Sequence, residues 1–73
     1  MMSSNEYQYR IFNIKAVIEI TALSRSTIYA LINPKSDYYD PSFPKRVVIS
    51  QKRIGWLAIE IHQWIEDKAN NRN

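Results

Sequence analysis

Cysteine is absent from these 73 residues, and glycine and histidine occur once each. Without cysteine there are neither disulfides nor thiolate metal ligands, and a cytosolic (cytoplasmic) protein is the simplest expectation. One glycine rules out a glycine-rich phosphate loop. One histidine, His62, without a carboxylate cluster is a poor metal site. No Cys–His pair and no histidine-backed serine offers an activated nucleophile. Glu66 and Asp67 are adjacent, so on a helix they point to different sides and cannot face each other as an acid–base pair. No enzyme is expected, and no cofactor, metal or small-molecule substrate is called for. Nor does any apolar run approach the roughly 20 residues that span a bilayer, so no membrane partner is expected. Residues 1–5 lack the charged-then-apolar order of a secretory signal.

Charge is the first positive feature. The net charge is +3 and the pI about 9.4, a balance that says little until it is mapped. Residues 1–53 carry eight basic side chains against four acidic, or +4, and residues 54–73 carry two against three, or −1. A basic front with a slightly acidic back suits a protein that turns one face to a polyanion. A chain of this size holds one domain that buries only about 60% of its unfolded surface.

Residues 1–9 are polar and aperiodic and read as a flexible tail, as do residues 70–73, leaving a domain over residues 10–69. Ile14, Val17 and Ile18 recur at helical spacing behind Asn13, a cap for a helix over about residues 14–20. Leu23 follows in an interval too short to cross the domain, which fits the tight turn of a helix-turn-helix. Ser24 caps a second helix that buries Ile28, Leu31 and Ile32 and stops before Pro34. Residues 33–42, with two prolines and alternating charge, read as an ordered loop packed down by Tyr38 and Tyr39. Two β-prone runs then flank Ser50, Gln51, Lys52 and Arg53, a hairpin with a four-residue turn based on type I. Gly55 marks a bulge or a close backbone approach. Leu57, Ile61, Trp64, Ile65 and the Lys68 stem line a final helix, with His62 on its polar face and Ile59 pointing outward without a core reason. Mainly α with a small β-hairpin, in this order, is a winged helix-turn-helix of three helices and a two-stranded wing.

With Ile28 facing the core, Ser26, Tyr29, Ala30 and Asn33 point outward and Arg25 and Thr27 flank that face. A recognition helix offers its N-terminal residues to the major groove in this way. Arg25 can bind guanine or a phosphate, Ser26 and Thr27 can donate to either, and first-turn N–H groups add a phosphate site. The alternative is a solvated helix face with a routine serine cap. Lys45, Arg46, Lys52 and Arg53 form a second cluster on the hairpin, able to track a phosphate strand or reach a minor groove. Charges on an exposed hairpin also block edge-to-edge pairing, which is their other explanation. Trp56 and Trp64 read as core, not as base-stacking platforms.

Leu23, Ser24, Arg25, Ser26, Thr27, Ile28 and Tyr29, then Phe43, Pro44 and Lys45, then Ile54, Gly55 and Trp56, then Glu60, Ile61, Trp64 and Ile65 together resemble the AlpA family. These are small prophage-type transcriptional regulators with a MerR-like winged helix-turn-helix, and residues 33–44 resemble their longer-loop members. The match covers about residues 10–68. Each motif is weak alone; four in order are specific. The resemblance implies a sequence-specific regulator of a prophage or genomic island that binds double-stranded DNA, with the contact segment on residues 24–29 and the wing on Lys52 and Arg53. An excisionase acting on attachment-site DNA is the alternative it also implies; a protein-interaction adaptor is the alternative from another class. Few base contacts per domain favour a homodimer or cooperative binding. Where the family usually has glycine in the turn, this chain has Ala22, which predicts a turn either strained or differently shaped.

Overall fold

The computed structural model describes residues 10–72. The expected N-terminal tail, residues 1–9, lies outside them. In chain order the elements are β1 (Ile11–Phe12), α1 (Ile14–Thr21), α2 (Arg25–Ile32), β2 (Val47–Ser50), β3 (Arg53–Leu57) and α3 (Ala58–Asn70). This is a winged helix-turn-helix: three helices and an antiparallel hairpin.

Helix α1 begins where Asn13 Oδ1 accepts the Ala16 N–H at 2.9 Å, satisfying an orphan donor of the first turn. It ends one residue later than the periodicity predicts, because Thr21 contributes to the turn. The Thr21 hydroxyl donates to the Val17 carbonyl at 2.6 Å and accepts the Leu23 N–H at 3.3 Å. Between them Ala22 stands at φ 61° and ψ 19°, its N–H closing on the Ile18 carbonyl at 2.9 Å. The turn therefore keeps the left-handed geometry a glycine would favour. Of the two possibilities left by Ala22, strain is the one realised, and it is the one positive φ among the described residues.

The wing differs from expectation in two ways. First, β3 is the centre of a three-stranded sheet ordered β1-β3-β2. Ile11 pairs with Leu57 and Phe12 with Trp56, and the Ala58 N–H donates to the Arg10 carbonyl at 2.8 Å. Two residues are too few to show an alternating pattern, so β1 escapes sequence reading. Gly55 is the trace it leaves. A Cβ there would collide with the Ile11 side chain and press against the Phe12 carbonyl oxygen at 3.0 Å. Second, the turn is shorter than the predicted four residues. Ser50 pairs directly with Arg53, so only Gln51 and Lys52 intervene, and the register shifts between Val48 and Ser50. Neither turn residue has positive φ, so the primed turns that match strand twist are excluded. The extra residue, Ile49, supplies the added local twist as a bulge instead.

Val17, Ile28, Phe43, Trp56 and Ile61 form the buried core, one or more from nearly every segment. Phe43 was not expected there. It closes the 33–44 loop by setting its ring edge-on to Trp64, centroids 4.9 Å apart. Tyr38, expected to pack the loop down, is instead 73% exposed. Local hydrogen bonds do that work: Asn33 Oδ1 accepts from the Lys35 N–H, Ser36 Oγ from Tyr38, and Asp40 Oδ1 from Ser42. The Asp40 N–H ties the loop to the Leu31 carbonyl at 2.9 Å. Three smaller corrections fall on α3. Leu57 ends β3 and precedes the helix. His62 is half-buried, its ring edge-on to Phe12 at 5.7 Å. Residue 70, expected to fray, is the helix's last residue.

Candidate nucleic-acid interface

Ser24 is the N-cap of α2, at φ −74° and ψ 161°, and its Oγ accepts the Thr27 N–H at 3.1 Å. The same hydroxyl donates to Thr27 Oγ1 at 2.8 Å. Thr27 still has its own proton to give outward, because a hydroxyl accepts and donates at once. Arg25 and Ser26 follow on the exposed side, and Tyr29 is a little more than one-third exposed. Ile28, fully buried between them, fixes the rotation of the helix. At the far end Asn33 leaves the helix with φ −93° and ψ 112°, the extended backbone that Pro34 imposes on its predecessor. Its Oδ1 is used by the loop, so Asn33 is a hinge into the loop as much as a contact residue.

Lys52 occupies the hairpin turn and Arg53 opens β3; both are exposed, as are Lys45 and Arg46 at the root of β2. Among the described residues the one ion pair joins Lys68 Nζ to Asp40 Oδ2 at 3.5 Å. Arg25, Lys45, Arg46, Lys52 and Arg53 take no part in it, so five cations of the candidate interface have no ion-pair partner among the described residues. Such charges are what a polyanion would neutralise.

The sequence-predicted residues do not share one cleft. Tyr29, Asn33, Lys45 and Arg46 share a cleft between α2, the loop and the wing root. Arg53 instead borders a second cleft with Arg10, Asn13 and Ala16 at the start of α1. Residues 24–27 line neither and stand at the free N-terminal end of α2. Sequence reasoning missed Arg10, whose guanidinium lies 5.9 Å from the Phe12 ring centroid. Its one signal was position, directly before the unrecognised β1. Among the described residues no helix is long and apolar enough to cross a membrane.

Residues 10–69 match the family model described as prophage CP4-57 regulatory protein (AlpA). The chain is 40% identical over 66 residues to the DNA-binding transcriptional activator AlpA of Escherichia coli K12, covering 90% of this chain and 94% of that protein. It is 32% identical over 65 residues to the uncharacterized protein ORF88 of enterobacteria phage P4, covering 89% of this chain and 67% of that one. No solved structure matches it. The chain belongs to the AlpA family of prophage regulatory proteins.

Proposed function

We propose that this protein is a sequence-specific DNA-binding transcriptional regulator of a prophage or genomic island, acting in the cytoplasm without catalysis. The observation that carries the reading is the combination on one small domain of a side-chain-capped, outward-facing α2 with five cations that have no ion-pair partner among the described residues. Helix α2 enters the major groove by its N-terminal end. There Arg25 binds guanine or phosphate, and Ser26 and Thr27 donate to base edges or phosphates. Tyr29 and Asn33 continue that face. Lys45, Arg46, Lys52 and Arg53 bind backbone, setting register without reading sequence. The name carried by the Escherichia coli relative, a DNA-binding transcriptional activator, supports the same class of activity.

So small an interface offers few base contacts, and we infer that two or more copies bind neighbouring sites cooperatively. The test is selection of duplexes from a random-sequence pool, followed by affinity measurements over a salt series. A recovered consensus with affinity falling steeply as salt rises is expected, because each neutralised phosphate releases counterions. Failure to enrich any duplex at low salt would sink the reading.

A further inference from the structure

One cleft in the molecule lies between the two arms of the proposed interface. It has a volume of about 650 Å³, and its walls include Tyr29 and Ile32 of α2, Tyr39 and Phe43 of the loop, and Lys45 and Arg46 at the wing root. Ile32 and Phe43 give it an apolar floor, Tyr29 and Tyr39 are partly exposed rings, and the two cations carry no ion pair among the described residues. One acidic residue, Asp40, also borders it. Its Oδ1 accepts from the Ser42 hydroxyl at 2.6 Å and the Ser42 N–H at 2.9 Å, and its Oδ2 faces Lys68 at 3.5 Å, so its charge is answered first within the loop and then from α3.

The occupant follows from the topology of a duplex. If α2 lies in a major groove and the wing tip lies on the backbone beyond that groove's edge, the sugar–phosphate strand bounding the groove must run between them. This cleft is lined both by Tyr29 and Ile32 of α2 and by Lys45 and Arg46 at the wing root, and so offers that strand a passage. We propose that it seats that strand, with Lys45 and Arg46 on the phosphate and the rings of Tyr29 and Tyr39 against the adjoining deoxyribose. The inference rests on the DNA reading and extends it to the 33–44 loop. Tyr39, which the sequence assigned to packing, becomes a contact residue. The mixture of walls fits a backbone better than a free anion, because a phosphate alone would leave both rings without a role.

The test uses the full chain and a duplex that the wild-type protein has itself selected from a random pool. Hydroxyl-radical footprinting reads each deoxyribose, and phosphate-ethylation interference reads each phosphate. Tyr39→Ala is expected to weaken binding by about five- to tenfold, the low end of what a packed ring contributes. It should lose protection at the deoxyribose between the α2 and wing footprints while keeping the base preferences. Tyr39→Phe, which retains the ring face, should keep that protection. Arg46→Gln should remove interference at the adjacent phosphate and reduce the salt slope by about 0.9. Wild-type affinity and full protection in Tyr39→Ala would overturn the proposal. So would an unchanged footprint with altered sedimentation, which would assign the cleft to a second copy of the chain. A wild-type protein that selects no duplex refutes the DNA reading itself. A wild-type that binds with a footprint indifferent to Tyr39 and Arg46 refutes only the cleft.

Discussion

Over residues 24–27 side chains help hold the chain in place, whereas over residues 45–53 only backbone pairing does. At the start of α2, Ser24 and Thr27 bond to each other and to the backbone, and the Ile28 N–H closes on the Ser24 carbonyl at 3.0 Å. Along the hairpin root, β2 and the turn, no side chain makes a hydrogen bond or ion pair among the described residues, and Val48 is 67% exposed. The first region is preorganised. Its backbone and the Ser24 and Thr27 side chains arrive at a partner with little entropy left to lose, which favours discrimination between bases. The second is held by backbone strand pairing while its side chains have no partners of their own, and its cations reward any phosphate strand alike. On the DNA reading, sequence preference and sequence-blind affinity are thus divided between helix and wing.

The strongest way to break this contrast is to ask whether the two regions are independent. Trp56 belongs to the wing's central strand yet is fully buried in the same cluster as Val17, Ile28 and Ile61. Trp56→Ala should therefore cost about 3–5 kcal/mol and loosen helices and hairpin together. Denaturant unfolding with amide exchange checks this. Hairpin amides that lose protection while α1 and α2 keep theirs would show two separable units.

Arg25 and Lys52 sharpen the comparison on DNA. Arg25→Ala should cost about 1–3 kcal/mol on the preferred duplex and less on others, flattening the preference at one position. Lys52→Ala should weaken all duplexes nearly equally and lower the salt slope by about 0.9. A wing variant that altered base preference instead would erase the proposed division. Competition binding with a panel of single-base variants reads both outcomes.

The same division governs what could be read from the sequence. The helix-turn-helix was legible because its signals are local: Asn13 and Ser24 as caps, Pro34 as a stop, Ile28 as the inward residue. The hairpin was legible in outline only. Its turn length depends on the bulge at Ile49, which reflects twist conflict between strands and has no residue signature of its own. Strand β1 was invisible because two residues carry no period, although Gly55 marked the place where it lies. Phe43, and not Tyr38, packs the loop onto the core, because a loop's packing depends on long-range partners, here Trp64, that no sequence window contains. The separation of Arg53 from Lys45 and Arg46 into different clefts was likewise a matter of three dimensions.

Ala22 tests whether the rigid region is as relaxed as it is ordered. A non-glycine residue in the left-handed region costs roughly 1–2 kcal/mol, and the added chain entropy of glycine returns part of that on replacement. Ala22 is exposed, so its methyl contributes little packing. Ala22→Gly should stabilise the fold by roughly 1 kcal/mol, read as a higher unfolding midpoint with an unchanged denaturant slope. A destabilised variant would mean that the turn tolerates alanine without strain.

The smallest effect concerns which region the 33–44 loop belongs to. Asp40 anchors it, and the Ser42 hydroxyl, then the Ser42 backbone N–H, hold its carboxyl below the ordinary value of 3.8; burial opposes them and Lys68 assists. A carboxyl whose pKa is lowered by folding stabilises the fold above its unfolded value, and that contribution is lost as pH falls through the folded one. The loss should therefore begin below about pH 4 and be absent at neutral pH. Because the Ser42 hydroxyl is the leading cause, Ser42→Ala should raise the Asp40 pKa more than Lys68→Gln does, in a carboxyl-detected NMR titration. Lys68 is more than half exposed and its ion pair is long, so Lys68→Gln at pH 7 should cost less than about 1 kcal/mol. A larger loss would place the loop's hold on α3 in the ion pair. A loss confined to Ser42→Ala would place it in the loop's own hydrogen bonds, and so group this loop with the self-holding start of α2 and not with the wing.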